Sequence, residues 1–146
     1  MMTIRLMKTE DVPTVYEMEK TCFADPWGLD SLADFSLGKG HSVFVAEDEH
    51  IIIGYGCTQQ VLDECEILRI AVNPVFRKRG IGYSLLSEMV KNAYALGSRI
   101  FYLEVRENNI PAIGLYKKLM FTESGRRKDY YRNPTEDAIL MSRAIT

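Results

Sequence analysis

The chain has 146 residues, 47% of them hydrophobic, which suits one domain with a sizeable core. Its formal net charge of −2 argues against a general nucleic-acid-binding protein, because such proteins need a basic surface. The first residues are too charged for a signal peptide and no apolar run is long enough to cross a membrane, so we expect a cytoplasmic protein. Three cysteines without paired spacing and two isolated histidines predict reduced thiols and no metal site.

The N-terminal part of the chain predicts one strand and two helices. Thr3–Met7 alternates like a strand, and Thr9 is placed to cap a helix with acidic residues in its first turn. Asp25–Gly28 breaks that helix, because proline and glycine interrupt helical backbone. A second, short helix is expected from about Leu29 to Leu37.

The middle of the chain predicts a three-stranded meander followed by a long helix. Ser42–Glu47 and Ile51–Gln60 flank a turn, and Glu64–Val72 is the third strand. From Ile81 onward apolar residues recur at helical spacing, and Gly97 is placed to end this helix.

The C-terminal part predicts a strand, a helix and two more strands. Arg99–Val105 has the continuous apolar character of a central strand, and Asn109–Leu119 reads as a helix. One strand begins at Phe121, and the last covers Ala138–Ser142. The order predicts an α/β fold with a mixed sheet of about seven strands and helices on both faces, in a single domain covering residues 1–146.

A basic, glycine-spaced loop joins the third meander strand to the long helix. The segment Arg77–Gly82 reads Arg-Lys-Arg-Gly-Ile-Gly. Amides at a helix start, the helix dipole and three cationic side chains form an anion site that suits a pyrophosphate. Gly80 and Gly82 have no Cβ to keep phosphate oxygens away from those amides. We therefore predict a phosphate-bearing cofactor at this loop.

Two further clusters of charged residues bear on the kind of substrate that the protein binds. Arg126–Lys128 is basic, and Asp63–Glu66 is rich in acidic residues. Charges of both signs near one site suit an anionic cofactor and a cationic substrate, while each cluster alone also fits an ordinary solvated surface.

The loop sequence and its context resemble a known family. Arg77–Gly82 resembles the Q/R-x-x-G-x-G/A loop of GNAT N-acetyltransferases, which binds the pyrophosphate of acetyl-CoA. Tyr102–Arg106 with Asn109, Leu115-Tyr116 and Phe121 resembles the L-E-V-R…N…L-Y…G-F signature of RimI-type enzymes in that family.

Two more matches extend the resemblance over nearly the whole chain. Asp25–Trp27 resembles the P-W loop of RimI-type enzymes, and Tyr130-Tyr131 followed by Glu136–Ala138 resembles their Y-Y…E-D-A ending. Three residues depart from the family pattern, and two of them, Gly28 and Arg69, lie toward the acceptor side; the third is Met120, in place of a glycine.

The resemblance implies the GNAT fold and acetyl-CoA as cosubstrate, without a metal. It places the amide of Val72 at the acetyl carbonyl, where it stabilises the oxyanion, and Asn109 on the CoA arm. Asn109 also reads as a simple helix cap. The implied cofactor-binding residues are Ile70, Ala71, Val72, Arg77, Lys78, Arg79, Gly80, Ile81, Gly82 and Asn109.

Two residues are the implied acid–base pair. Glu104 is the candidate general base for the attacking amine, although a strand glutamate is usually a surface residue. Tyr116 is the candidate acid for the leaving thiolate, although a helical tyrosine often only packs into the core.

The implied acceptor is a protein N-terminus, most specifically the N-terminal alanine of a small-subunit ribosomal protein. Alternatives are a GNAT enzyme acting on lysine side chains or small amines, and a nonenzymatic CoA-binding sensor. Neither nucleic acid nor membrane is an expected partner. Candidate acceptor residues, each of which could instead only pack a turn or hairpin, are Trp27, Glu66, Tyr130 and Tyr131.

Overall fold

A computed structural model describes residues 1–146 and contains seven strands and four α-helices. Their order along the chain is the one that the sequence predicts. The elements are β1 (Met2–Leu6), α1 (Val12–Cys22), α2 (Leu29–Ser36), β2 (His41–Asp48), β3 (Ile51–Val61), β4 (Glu64–Val72), α3 (Ile81–Ala95), β5 (Ile100–Arg106), α4 (Ile110–Lys118), β6 (Thr122–Tyr131) and β7 (Glu136–Ala144).

The seven strands form one mixed sheet in the order β1-β2-β3-β4-β5-β7-β6. Neighbouring strands are antiparallel except β4 and β5, which are parallel. The β4–β5 pairing covers only Glu64–Ile67 against Ile100–Leu103. Beyond that point the two strands separate, so the second half of β4 has no partner on its β5 side. This gap in the middle of the sheet is the feature around which the candidate site is built.

Helices cover both faces of the sheet, as the sequence predicts. One core cluster packs under α3 and α4 and includes the fully buried Leu85, Leu86 and Met89. The other packs under α1 and α2 and includes Val15 and Leu32. Burying one such aliphatic side chain contributes about 1.5–3 kcal/mol, so these two clusters supply most of the favourable free energy of folding.

The start of α1 differs from the prediction. Thr9 caps no helix: it lies in a short 3-10 turn, Thr9–Asp11, and α1 begins at Val12. Asp11 is the N-cap residue of α1 but makes no side-chain hydrogen bond to that helix. Its carboxylate instead closes the 3-10 turn by accepting the Lys8 N–H at 2.7 Å, and it accepts a second bond from Arg5 at 2.7 Å. An ionised carboxylate is the stronger acceptor, and this one is also neutralised by the arginine.

Other element ends agree with the sequence within a few residues. Gly97 follows α3 with a φ of 110°, which only glycine adopts without strain, so its predicted role as a helix terminator is confirmed. The last strand begins at Glu136, ahead of the predicted Ala138. Cys57 and Cys65 are buried, Cys22 is half-buried, and all three thiols are free, as predicted. No α-helix has both the length and the apolar character needed to span a bilayer.

Candidate active site

A β-bulge changes which way the second half of β4 faces. Cys57 of β3 pairs with Arg69, but the next residue of β3 pairs with Ile67, so Leu68 has no partner. Ile67 before the bulge and Ile70 after it both pack toward α3, although unbroken alternation would put them on opposite faces. The bulge residue, Leu68, packs toward α1 and α2. The extra residue thereby places Arg69 on the α1 side of the sheet.

The backbone of Ile70 and Val72 faces the gap between β4 and β5. Asn73 donates its N–H to the Ile53 carbonyl of β3 at 2.8 Å. Because hydrogen-bonding direction alternates along an antiparallel strand, Ala71 also faces β3, and the N–H and C=O groups of Ile70 and Val72 point the other way. The structure thus presents the Val72 amide to the gap, where the sequence resemblance expects an oxyanion donor.

The Arg77 side chain turns back toward β4. Its Nε donates to the Val72 carbonyl at 3.1 Å, and one terminal nitrogen lies 3.7 Å from the Cys22 sulfur. Among the three predicted cationic residues, Arg77 therefore orders the strand end, while Lys78 and Arg79 remain exposed at the loop. The Arg79 guanidinium lies 5.3 Å from the Phe76 ring centroid.

The start of α3 has the amides expected of an anion site. Gly80 is the N-cap with a φ of 78°, and a Cβ there would meet no atom within 4 Å, so the left-handed backbone and not crowding favours glycine. The first helical bond runs from the Ser84 N–H to Gly80, which leaves the N–H groups of Ile81 and Gly82 without helical partners.

Gly82 has a further reason to be glycine, which the sequence does not reveal. A Cβ at this position would lie 3.2 Å from a Leu115 methyl and 3.8 Å from a Val72 methyl. Glycine therefore allows α3 to begin close against α4. Asn109 caps α4, because its side chain accepts the Ala112 N–H at 3.3 Å, so the helix-cap interpretation holds whether or not Asn109 also contacts a ligand.

Glu104 lies on β5 at the gap. Its side chain is 22% exposed, and its Oε2 is buried without a hydrogen-bond donor. The nearest cation is Arg127 of β6, whose Nε lies 3.8 Å from that oxygen. At this distance the arginine partly balances the charge of the carboxylate but donates no hydrogen bond to it, so the oxygen is free to accept one from a substrate.

Glu66 stands beside Glu104 on the neighbouring strand. Glu66 pairs with Tyr102 in the parallel register, two residues before Glu104 on the same side of β5. Burial, and next the negative charge of Glu104, raise the pKa of Glu66 above its ordinary 4.5. Two carboxylates thus share one partly desolvated site, a setting that attracts a cationic amine.

Tyr130 and Tyr131 lie near the two carboxylates, and Tyr116 lies in the core close to Tyr131. Burial, followed by the charge of Glu104, raises the pKa of Tyr131 to about 12. Tyr130 packs edge-on against Tyr131, with ring centroids 5.1 Å apart. Tyr116 packs its ring in the core against Phe121, and burial raises its pKa above the ordinary 10. The core interpretation of Tyr116 therefore holds for its ring, while its hydroxyl makes no hydrogen bond within the chain.

Arg106 and Glu136 hold the β6–β7 hairpin and were not among the predicted site residues. Arg106 donates to Glu136 at 3.2 Å, to the Arg132 carbonyl at 2.6 Å and to the Pro134 carbonyl at 2.9 Å. Its guanidinium also lies 4.5 Å from the Tyr131 ring centroid. Both residues belong to motifs quoted above, but their pairing joins positions thirty residues apart.

Trp27 lies in the α1–α2 loop, where it acts as an anchor. Its ring is partly buried, 5.2 Å from the Phe35 ring centroid and 5.0 Å from the Arg69 guanidinium. Of the four candidate acceptor residues, the structure thus brings Glu66, Tyr130 and Tyr131 to Glu104, while the Trp27 ring is packed toward α2.

The fold and this site define a GNAT acetyltransferase: a strand with a free edge leads into a glycine-capped helix start, beside a carboxylate oxygen that receives no hydrogen bond. The family model for the acetyltransferase (GNAT) family matches residues 12–121, and the chain belongs to this family. It is an acetyl-CoA-dependent N-acetyltransferase, and the sensor interpretation is discarded.

Full-length relatives support this assignment. The chain is 35% identical over 150 residues to the [ribosomal protein bS18]-alanine N-acetyltransferase of Escherichia coli, covering 100% of this chain and 99% of the relative. A Bacillus subtilis relative is 36% identical over 140 residues, which is 94% of this chain and 92% of its own. The crystal structure of the Escherichia coli ribosomal-protein-S18-alanine N-acetyltransferase superposes with a TM-score of 0.92 at 34% identity, covering 100% of this chain and 95% of that one.

The residues present fit acetyl-CoA as the cosubstrate. The open amides at the start of α3 and the exposed Lys78 and Arg79 suit a pyrophosphate, and the free edge at Ile70 and Val72 suits an extended arm bearing amides. Acetyl-CoA supplies an electrophilic carbonyl and a thiolate leaving group. The chain must then deprotonate the amine, stabilise the oxyanion and protonate sulfur.

Proposed function

We propose that this enzyme acetylates the α-amine of a protein N-terminus, with the N-terminal alanine of a small-subunit ribosomal protein as the favoured acceptor. The observation that carries this proposal is the buried Glu104 Oε2, which has no donor and lies beside Glu66 in the gap of the sheet. An α-amine has a pKa of ~7.8, so one carboxylate is a sufficient base, whereas the lysine side chain, with a pKa of ~10.4, would need far more help. The named activity of the Escherichia coli relative supports the same acceptor, which would place the enzyme in the cytoplasm.

The geometry supports direct transfer without a covalent enzyme intermediate. The amine nitrogen forms a bond to the acetyl carbon while its proton passes to Glu104, directly or through water. The Val72 N–H stabilises the oxyanion, the carbon–sulfur bond breaks, and the Tyr116 hydroxyl donates its proton to the sulfur. Because burial keeps the pKa of Tyr116 high, the phenol is protonated at neutral pH and available as the acid.

The loops near the gap favour a chain end over a side chain on a folded surface. Asn133 of the β6–β7 hairpin donates to Asp25 of the α1–α2 loop at 3.4 Å, so the two loops meet beside the site. Tyr130 and Tyr131 line the hairpin side, and the carboxylate of Glu66 is placed to attract the ammonium before deprotonation. An acidic and aromatic entrance between two loops suits a flexible N-terminus.

The test measures acetyl transfer by mass spectrometry. The acceptors are peptides with a free N-terminal alanine followed by basic residues, compared with N-terminally blocked peptides that contain lysine. We expect acetylation only at the free N-terminus. Acetylation of lysine alone would contradict the proposed acceptor and support the alternative of a lysine or small-amine acetyltransferase.

Variants test the assigned roles. Glu104→Gln should lower kcat by about 100-fold, with the KM for acetyl-CoA nearly unchanged, because it removes a base but no cofactor contact. Tyr116→Phe should also lower kcat, by about tenfold or more, because it removes the proposed acid. Glu123→Gln is a matched control on exposed β6 and should retain wild-type rates. Full activity of both site variants would disprove the acid–base assignment.

A further inference from the structure

A buried ionic cluster lies beneath the α1–α2 loop, outside the reacting groups. It consists of Glu19 on α1, Tyr55 on β3 and Arg69 on β4, and is called the Glu19 cluster below. Glu19 is 0% exposed, and its Oε1 accepts the Tyr55 hydroxyl. The Arg69 Nε lies 3.1 Å from the same oxygen, so the two side chains form an ion pair. The N–H of Nε does not point at the oxygen and makes no hydrogen bond.

Both charged members of the Glu19 cluster also contact the α1–α2 loop, residues 23–28. The other oxygen of Glu19 accepts the Trp27 N–H at 2.8 Å. Arg69 donates to the Asp25 carbonyl at 3.0 Å, and its guanidinium lies 4.2 Å from the Phe23 ring centroid and 5.0 Å from that of Trp27. This segment has no helix or strand of its own, so these contacts fix its backbone.

Stability alone does not account for such a pair. Taking a carboxylate and a guanidinium out of water costs several kcal/mol per ion, and replacing a buried ion pair with apolar residues of similar volume is often neutral or stabilising. An apolar pair could not donate to a loop carbonyl and accept from a loop amide. We therefore attribute to the charges of Glu19 and Arg69 the fixed position of the α1–α2 loop rather than a gain in net stability.

The loop held by the Glu19 cluster lies between two parts of the site. Through the β-bulge, Arg69 sits immediately before the free edge at Ile70–Val72. On the other side, Asp25 accepts from Asn133 of the hairpin that carries the site tyrosines. The loop thus connects the strand that faces the cosubstrate with the hairpin that faces the acceptor.

We propose that Arg69, through Glu19, is a positioning residue that holds the α1–α2 loop as one wall of the acceptor groove. The inference rests on the proposed function for the identity of the acceptor, but not for the position of the loop. Loss of Arg69 frees the Asp25 carbonyl and the Trp27 ring and leaves Glu19 with an uncompensated charge. The wall then moves, while the free edge of β4 and the start of α3 remain.

The test uses the full chain and the variants Arg69→Met and Arg69→Lys. Trp27 is the single tryptophan, so acrylamide quenching of its fluorescence reports the loop directly. The matched control is Arg5→Met, because Arg5 is 21% exposed against 20% for Arg69 and also pairs with a buried carboxylate, that of Asp11, far from the site. Lysine keeps the positive charge near Glu19. It lacks the planar guanidinium, which can donate to the Asp25 carbonyl and stack on aromatic rings at the same time.

In Arg69→Met we expect quenching of Trp27 to rise about twofold and the KM for the acceptor peptide to rise roughly tenfold, with kcat and the KM for acetyl-CoA nearly unchanged. Arg69→Lys should retain the fold and show a smaller rise in quenching and in acceptor KM. This variant provides the test if Arg69→Met does not fold. Arg5→Met should change neither quenching nor acceptor KM.

Two results would overturn the proposal: unchanged quenching and acceptor KM in both Arg69 variants, or equal changes in the Arg5→Met control. The second result would mean that any lost ion pair loosens the chain generally. If the wild-type enzyme acetylates only lysine or small amines, the proposed function fails; the same KM comparison is then made with that acceptor, and the quenching result stands independently.

Discussion

Arg106→Met gives a sharp test of how the β6–β7 hairpin is held. Arg106 is 25% exposed and makes its bonds to Glu136, which is 7% exposed, and to the carbonyls of Arg132 and Pro134. Methionine keeps much of the volume of the arginine stem but removes every donor. Glu136 would then be buried with the Asn108 N–H, at 2.7 Å, as its one remaining partner.

The expected loss follows from these contacts. A hydrogen bond to a charged group contributes about 1.5–3 kcal/mol, and leaving a buried charge uncompensated adds to the cost. The carbonyl bonds of Arg106 are more exposed and contribute less, so we expect the free energy of unfolding to fall by about 3 kcal/mol. That is a large share of the roughly 5–15 kcal/mol typical of a domain. Urea unfolding followed by far-UV circular dichroism measures it.

A double-mutant cycle separates the charge effect from packing. Glu136→Gln keeps an acceptor for Asn108 but removes the charge that Arg106 compensates. The double variant should therefore lose less stability than the sum of the single variants, with a coupling of about 1–2 kcal/mol. A loss below about 1 kcal/mol for Arg106→Met, or a double variant that is simply additive, would refute the reasoning.

Three further predictions concern other parts of the molecule. Gly114→Ala should raise the free energy of unfolding by about 0.5–1 kcal/mol, because this α4 glycine has open space around it. Gly54→Ala should lower the free energy of unfolding by about 1–3 kcal/mol, because a Cβ there would lie 2.9 Å from a backbone oxygen. Chemical denaturation of the two variants measures both effects. The hydrogen bond from Arg5 lowers the pKa of Asp11 in the folded protein below its ordinary 3.8. The stability that ionised Asp11 contributes is therefore complete above pH 3.8 and is lost as the pH falls through the lower pKa of the folded state. Unfolding curves in acid should show the stability difference between wild type and Asp11→Asn shrinking toward zero. Because burial raises the pKa of Tyr116 above 10, the pH profile of kcat should show no loss from a phenol at or below pH 10, and a fall in that range that Tyr116→Phe abolishes would contradict the raised pKa.

Much of the fold could be predicted from the sequence, because periodicity records burial directly. The apolar positions of α3 follow a helical repeat from Ile81, and those residues form the centre of the larger core cluster. The free edge of β4 could not be predicted in this way. Its cause is one extra residue, and Leu68 is apolar, so the strand reads as uninterrupted.

The geometry of the candidate site was predictable where it depends on contiguous residues and not where it depends on pairing between distant segments. The glycine-spaced loop is contiguous, and its conformation at Gly80 follows from neighbouring residues. Glu19, by contrast, reads as one more charged residue among Glu17 and Lys20 on a surface helix. It is buried only because Tyr55 and Arg69 arrive from other strands to satisfy it.

The free edge of β4 also has a consequence for self-association. Unpaired strand edges usually lie at the rim of a sheet, where they invite strands from other molecules to add to them and promote aggregation. Here the exposed backbone groups lie inside the sheet over roughly 15 Å, with helices packed on both faces. Because this edge lies in the middle of the sheet and not at its rim, it is not presented to the strands of other molecules as a rim strand would be. Its position inside the sheet therefore lowers the risk that its unpaired backbone groups drive self-association.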